Sequence, residues 1–229
     1  MSETPNSPRR EFLGKIAAGA IALGFTRSVP TAFASERQVN SDIVPSDKWL
    51  TEVTGKHRQI FDMPQHENGM GLLHVRNYLN TMRDTYKVKH PDVTAVVTLY
   101  GMTTLLGFND AMWAKYGIAN PLKVMDASNA APNVNVFYNP PAGSPTLAIS
   151  GAPIPIPADS SIAALQQRGA VFILCNNAFN LWMHLLGKEK APDLRKEFEA
   201  NMLPGVYLVP AMVVAINQAQ THGCSYMYL

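Results

Sequence analysis

Two segments of the sequence are almost continuously apolar and rich in β-branched residues, and they constrain the fold more than any other feature. Residues 93–100 read Val-Thr-Ala-Val-Val-Thr-Leu-Tyr, and residues 170–175 read Ala-Val-Phe-Ile-Leu-Cys. Strands of this composition are typical of parallel sheets, in which both faces are covered. The two segments therefore predict buried strands between layers of helix.

Helical segments alternate with the predicted strands. Leu72, Val75, Leu79 and Met82 recur at steps of three and four residues, which places them on one face of a helix within residues 69–87. Three more strands are predicted at residues 57–63, 206–209 and 224–229. Further helices are predicted at residues 103–116, 162–168, 176–186, 193–202 and 211–220. Because right-handed crossovers place helices on both faces of a sheet, we expect an α/β fold with a five-stranded parallel sheet.

Residues 118–157 interrupt this alternation and are rich in Pro, Asn, Gly and Ala. Only residues 134–138 and 147–149 have weak strand character, and irregular segments of this length are uncommon in compact domains. We expect an insertion that serves either as a functional flap or as a packing surface for another subunit. Residues 35–56 are predicted to form a loosely docked arm, pinned by Trp49 and Leu50.

The first 34 residues are organised as a removable leader. A basic segment precedes a modestly apolar run at residues 16–25, and Ala32 and Ala34 form a small-x-small cleavage signal. The apolar run is too short to cross a bilayer core of about 30 Å, so no stable membrane anchor is expected after processing. The alternative is a disordered basic tail.

The basic segment of the leader resembles the twin-arginine export signal. Arg9, Arg10, Phe12 and Leu13 match its pattern, whereas the flanking Pro and Gly depart from its first and last positions. The resemblance implies that the twin-arginine translocase exports the chain, already folded, to the periplasm. The mature protein would then consist of the arm and one domain at residues 57–229.

The charge balance disfavours polyanionic partners. The leader holds four of the 19 basic residues and two of the 17 acidic ones, so cleavage after Ala34 leaves 15 of each. A formally neutral protein without a basic stripe has no electrostatic support for binding nucleic acid or an anionic membrane. No strand-to-helix turn carries a glycine-rich phosphate cradle, so nucleotide binding gains no support and no cofactor is expected.

Cys175 is the strongest candidate for chemistry. It ends a predicted buried strand, and Asn176 immediately begins a helix. Ligands of open α/β sheets gather at the carboxyl ends of the strands, and free N–H groups with the helix dipole stabilise a thiolate there. The alternative is that Cys175 serves as a small buried hydrophobe. Cys224 precedes the last strand and is expected at the opposite sheet edge, too far away for a disulfide.

Three motifs in the C-terminal half resemble the DsrE/DsrF-like family. They occur in the family's order at residues 167–177 (Gln-Arg-Gly-Ala-Val-Phe-Ile-Leu-Cys-Asn-Asn), 203–211 (Leu-Pro-Gly-Val-Tyr-Leu-Val-Pro-Ala) and 222–229 (His-Gly-Cys-Ser-Tyr-Met-Tyr-Leu). The N-terminal half agrees more loosely, at residues 59–62 and 76–77. The resemblance spans residues 57–229 without the insertion.

The resemblance implies a flavodoxin-like layer that assembles into a homo-oligomer, a trimer or a hexamer. It also implies that Cys175 carries sulfur as a persulfide, or takes part in thiol redox chemistry, as in the sulfur-relay members of the family. Those relays are cytoplasmic and lack the insertion at residues 118–157, so the exported chain departs from them in two respects.

Other residues support weaker hypotheses. Asn176 and Asn177 either cap the helix or orient a ligand, and His66 is a candidate base over Cys175 at the same sheet edge. The alternative function is a non-catalytic periplasmic module that binds a small ligand or a soft metal, or that serves in oligomeric interaction. For a metal, His74, His184, His222, the methionines or Cys175 would supply the ligands, although no chelating spacing is present.

Overall fold

The computed structural model describes residues 45–126, 128–140, 146–149, 152–187 and 191–229. The predicted leader at residues 1–34 and the first part of the arm lie outside these ranges. No helix within the described ranges is both long and apolar enough to cross a membrane.

The strands and helices follow the predicted alternation closely. The strands are β1 (His57–Asp62), β2 (Val93–Leu99), β3 (Thr146–Ile149), β4 (Ala152–Pro155), β5 (Val171–Cys175), β6 (Val206–Val209) and β7 (Ser225–Tyr228). The α-helices are α1 (Met70–Asp84), α2 (Asp110–Tyr116), α3 (Ala119–Leu122), α4 (Ile162–Gln166), α5 (Asn176–Gly187), α6 (Ala191–Ala200) and α7 (Met212–Thr221). The described residues also form 3-10 helices η1 (Pro45–Glu52), η2 (Glu67–Gly69), η3 (Gly101–Gly107) and η4 (Ala158–Ser160).

The main sheet has five parallel strands in the order β6-β5-β2-β1-β7, which confirms the predicted α/β, flavodoxin-like fold. From β1 through β2 and β5 to β6 the chain moves in one direction across the sheet. Right-handed crossovers place all of these connections on one face. The last connection, through α7 to β7, runs back across the sheet and therefore covers the other face.

The inner strands of the main sheet alternate their side chains between two apolar layers. Phe172 and Leu174 of β5 join the larger layer, which contains α1, α2, α5 and α6. Val171, Ile173 and Cys175 face the smaller layer, which contains η1 and α7. Helices cover both faces of the central strands, which explains why these strands are continuously apolar in sequence.

The arm is more firmly attached than its composition predicted. Residues 45–52 form η1, in which Trp49 is fully buried and Leu50 is 8% exposed. Both side chains pack over Ile60 and Val96 in the smaller layer. Although the flanking sequence is polar, these two apolar residues make the segment part of the core.

The insertion also contributes to the core, and one predicted strand in it is wrong. Residues 134–138 form turns, because the side chain of Asn135 donates to the carbonyl oxygens of Leu106 (2.9 Å) and Phe108 (2.7 Å) and accepts from the N–H of Phe137 (3.1 Å). The last of these bonds takes up the N–H of Phe137, a backbone donor that a β ladder would use. Val136 and Phe137 are buried in the larger layer, as Ile118 is, so this part of the insertion packs on its own domain.

Candidate functional site

The strand order defines a topological switch point between β5 and β6. The two strands are neighbours, with Cys175 opposite Val209. The chain leaves β5 toward the larger layer through α5 and leaves β6 toward the smaller layer through α7. In open α/β sheets, ligands bind in the crevice that such diverging connections form at the carboxyl ends of the strands.

Cys175 lies at this switch point and faces α7. Its Sγ accepts a hydrogen bond from the backbone N–H of Met212, the first residue of α7, over 3.3 Å. This N–H belongs to the first turn of the helix, where no intrahelical acceptor exists. An N–H donor and the positive end of a helix dipole both stabilise negative charge that develops on sulfur.

The helix that faces the sulfur is not the one the sequence indicated. We expected α5 to provide the N-terminus, because Asn176 follows Cys175 directly. The side chain of Cys175 points to the smaller layer, whereas Phe179 and Met183 of α5 belong to the larger one. Because side chains of a strand alternate between its two faces, the thiol lies on the same face as Val171 and Ile173 and contacts α7, which is distant in sequence.

Cys175 is nearly enclosed. The residue is 5% exposed and belongs to an apolar cluster with Val209 and Met212. This environment agrees with the alternative that Cys175 is a small buried hydrophobe.

Asn176 and Asn177 lie beside the switch point but differ in their contacts. The Oδ1 of Asn176 accepts from Nη2 of Arg195 on α6 over 2.8 Å, so this side chain ties α5 to α6. Asn177 is exposed. Among the described residues its side chain makes no hydrogen bond, which leaves it free to contact a ligand.

His66 does not join Cys175. Its ring Nε2 lies 2.8 Å from the carbonyl oxygen of Leu122, and its Nδ1 accepts from the N–H of Asn68 over 3.1 Å. The ring also lies against Phe137, with the centroids 5.6 Å apart. Leu122 and Phe137 belong to the larger layer, across the sheet from the thiol. His66 therefore holds the insertion against the β1–α1 connection.

Cys224 lies at the amino edge of the sheet, before β7, as expected, and both cysteines are free. Burial raises the pKa of the Cys224 thiol to about 11, although nearby Arg58 partly offsets this effect. Cys224 is therefore protonated at neutral pH, which makes it a matched control for Cys175.

A polar cluster at the carboxyl ends of β1, β2 and β7 was not recognised from the sequence. Asp62 is 4% exposed and accepts from the hydroxyls of Thr98 (3.2 Å) and Tyr226 (2.6 Å). The hydrogen bond to Asp62 is the main cause that raises the pKa of Tyr226 to about 12. Burial, followed by the hydrogen bond to Asp62, also raises the pKa of Tyr100. The apolar residues before Asp62 hid this carboxylate within a strand pattern.

A cavity of about 580 Å³ lies at the opposite, amino edge of the sheet. Its lining includes Glu52, His90 and Gln167, which lie in the segments before β1, β2 and β5. Tyr207, near the start of β6, also lines it. Cys175 does not line it. The sequence did not predict this cavity, because ligands of open α/β sheets usually bind at the carboxyl ends of the strands.

The histidines considered for a soft metal are dispersed. His74 and His184 are exposed on α1 and α5, and Nε2 of His222 lies 3.2 Å from the carbonyl oxygen of Val53. Within the ranges that the structure covers, no group of three or more His, Cys, Asp or Glu side chains is arranged to hold a metal ion.

No protein-family model and no curated protein matches the sequence. Among solved structures, the chain is similar to a protein of unknown function, MTH1491 from Methanobacterium thermoautotrophicum. The identity is 17%, the match covers 76% of this chain and 100% of that one, and the TM-score is 0.39.

Proposed function

We propose that this chain is an exported DsrE-like protein whose Cys175 carries sulfur as a persulfide or undergoes thiol redox chemistry. The observation that carries the proposal is the hydrogen bond from the N–H of Met212 to the Sγ of Cys175, at the N-terminus of α7 and at the switch point of the sheet. An anionic sulfur, whether thiolate or terminal persulfide, is stabilised by such a donor.

Sulfur transfer also requires access to a residue that is 5% exposed. The connection between β6 and α7 is two residues long, and Pro210 is exposed while Ala211 is half-buried. A displacement of this connection would uncover the sulfur without disturbing the strands. We therefore propose that residues 210–211 open to admit a sulfur donor.

Incubation with thiosulfate tests this function. The Cys175 thiolate attacks the outer sulfur of thiosulfate, a new S–S bond forms, and sulfite leaves with the electron pair of the broken bond. Mass spectrometry should then detect one added sulfur atom on Cys175. Cys224→Ser should retain the adduct, and Cys175→Ser should lose it. An adduct on neither cysteine, or equally on both, would contradict the proposal.

We further propose that the protein assembles with copies of itself. Large apolar side chains are exposed on α5, α7 and β7, and they comprise Leu181, Leu185, Val213, Val214, Tyr226, Met227 and Tyr228. Strand β7 also lies at the edge of the sheet, with one side unpaired by any described strand. Exposed apolar surface and open sheet edges are typical of protein interfaces.

A further inference from the structure

Two cavities adjoin at the amino edge of the sheet. The cavity of about 580 Å³ and a second one of about 330 Å³ share His90 and Gln167 in their linings. Gly169 makes this junction possible, because it has a φ of +85° and a Cβ at this position would collide with the His90 ring. His90 and Gln167 thus lie at the boundary of the two cavities.

The smaller cavity has a cationic rim and an apolar floor. Arg83, Lys89 and Arg168 line it together with Leu79 and Val93, which are buried. Among the residues that the structure describes, no Asp or Glu lines this cavity. In the larger cavity, Glu52 is the one acidic residue among the described lining residues.

The three cations differ in how their charge is satisfied. Arg83 binds Asp84 with two hydrogen bonds of 2.7 and 2.9 Å. Arg168 donates from Nη2 to the Oδ1 of Asn80 over 2.8 Å, and it forms no ion pair with a carboxylate of the described residues. The amino group of Lys89 has no hydrogen-bond or ion-pair partner within the described ranges.

The surroundings of Arg168 favour an added anion. Its side chain is partly buried, and burial followed by the positive charge of Arg83 lowers the pKa of the guanidinium. Arg76 acts in the same direction, whereas the charges of Asp159 and Asp84 partly offset the effect. An oxyanion between Arg168 and Lys89 would relieve this repulsion and accept hydrogen bonds from the N–H groups of both side chains that have no partner among the described residues. Planar guanidinium groups suit phosphate and sulfate because they donate two parallel hydrogen bonds.

We propose that the smaller cavity binds a phosphate or sulfate group of a small molecule between Arg168 and Lys89. The oxyanion is either a free inorganic ion or the terminal group of an organic ester. In the second case the organic part extends past His90 into the larger cavity. Glu52 would repel a second negative charge there, so the ligand carries its charge at one end. This site is separate from Cys175 and does not depend on sulfur chemistry.

Calorimetric titration of the purified chain with inorganic phosphate, at constant ionic strength, tests the site. Lys89→Gln and Arg168→Gln should each weaken binding by about tenfold or more, because each removes a charge-assisted hydrogen bond. Lys196→Gln removes one charge from an exposed position on α6 and should leave the affinity unchanged. Since Lys89 is exposed and unpaired, its substitution does not threaten folding.

Phenyl phosphate distinguishes the two forms of the ligand. Tighter binding than that of inorganic phosphate would indicate an ester whose organic part occupies the larger cavity, and equal binding would indicate the free ion. Glu52→Gln should not weaken binding of either probe. Absence of binding at millimolar phosphate, equal affinity in Lys89→Gln and Lys196→Gln, or loss of binding in Glu52→Gln would overturn the proposal.

Discussion

The sulfur of Cys175 accepts a hydrogen bond at the N-terminus of α7, where the N-cap residue provides no side-chain acceptor. The residue before α7 is Ala211, which has no side-chain acceptor, and the N–H of Met212 therefore depends on the sulfur. Cys224 is similarly buried, at 6% against 5% exposure, but its sulfur accepts no hydrogen bond from the described residues. The two cysteines thus separate the effect of this bond from that of burial.

Cys175→Ala should reduce the free energy of unfolding by about 1 kcal/mol more than Cys224→Ala does. Both variants lose a buried sulfur, but only the first leaves a buried N–H without its partner. Urea denaturation of the two variants measures the difference. Equal losses would show that the contact with Met212 contributes nothing to stability.

The titration of Tyr226 should depend on Asp62. The hydrogen bond to Asp62 is the first cause that raises the Tyr226 pKa from 10.0 to about 12. Asp62→Asn removes the negative charge that resists tyrosinate formation, so the Tyr226 pKa should fall toward its ordinary value. Ultraviolet difference titration follows this change, and Tyr226→Phe identifies the signal. An unchanged titration in Asp62→Asn would show that the carboxylate does not control this hydroxyl.

Protonation of His66 should destabilise the fold. Burial lowers the pKa of His66 below 6.5, although the hydrogen bond with Leu122 partly opposes this effect. Below about pH 6.5 the unfolded chain binds a proton that the folded chain resists, so stability is complete above this pH and declines as the pH falls. Denaturation midpoints from pH 7 to about pH 5.5 measure the decline. His66→Asn should flatten it, and an identical slope in the variant would contradict this role.

At the scale of the elements, the sequence predicted the strands and helices that are determined by the local pattern of apolar residues. Strands β2 and β5 are buried on both faces and therefore appear in the sequence as apolar runs. The buried face of α1 consists of the apolar residues that recur at helical spacing. The strand predicted at residues 134–138 was wrong because Asn135 bonds to carbonyl oxygens 27 to 29 positions away. The contact of Cys175 with α7 was not predicted for the same reason, since it spans 37 positions. Long-range polar contacts leave no local signal.

Helix α7 offers a test of self-association. Val213 and Val214 are 77% and 52% exposed near its start. A glutamate at Val213 would place a charge in an apolar interface, so Val213→Glu should shift the assembly toward monomer. Light scattering after size-exclusion chromatography measures the mass. Gln220→Glu adds the same charge at another exposed position of α7 and should not alter it. A native protein that is already monomeric would contradict assembly.

At the scale of the whole molecule, export and sulfur chemistry are independent proposals. Arg9→Lys together with Arg10→Lys preserves the charge of the leader but removes the paired guanidinium groups. If the twin-arginine translocase recognises the leader, this variant should remain in the cytoplasm while the native chain reaches the periplasm. Cell fractionation with antibody detection measures the distribution. Equal export of both proteins would contradict recognition of the arginine pair.

The molecule has two separate edges with different chemistry. The carboxyl edge contains the enclosed sulfur of Cys175 and the Asp62 cluster, whereas the amino edge contains the two cavities. The sequence indicated the first edge, because Cys175 follows a recognisable strand. It did not indicate the second, since Glu52, Lys89 and Arg168 come from the segments before β1, β2 and β5, which only the parallel sheet brings together.

The rate at which each cysteine of the native chain reacts with iodoacetamide at neutral pH tests the central claim most directly. If residues 210–211 open locally, Cys175 should be alkylated at a rate that low urea concentrations hardly change. Cys224 should react only as the whole domain unfolds. Modification of Cys175 at the same slow, urea-dependent rate as Cys224 would show that its sulfur is sealed in the core, and would contradict thiol chemistry in the folded protein.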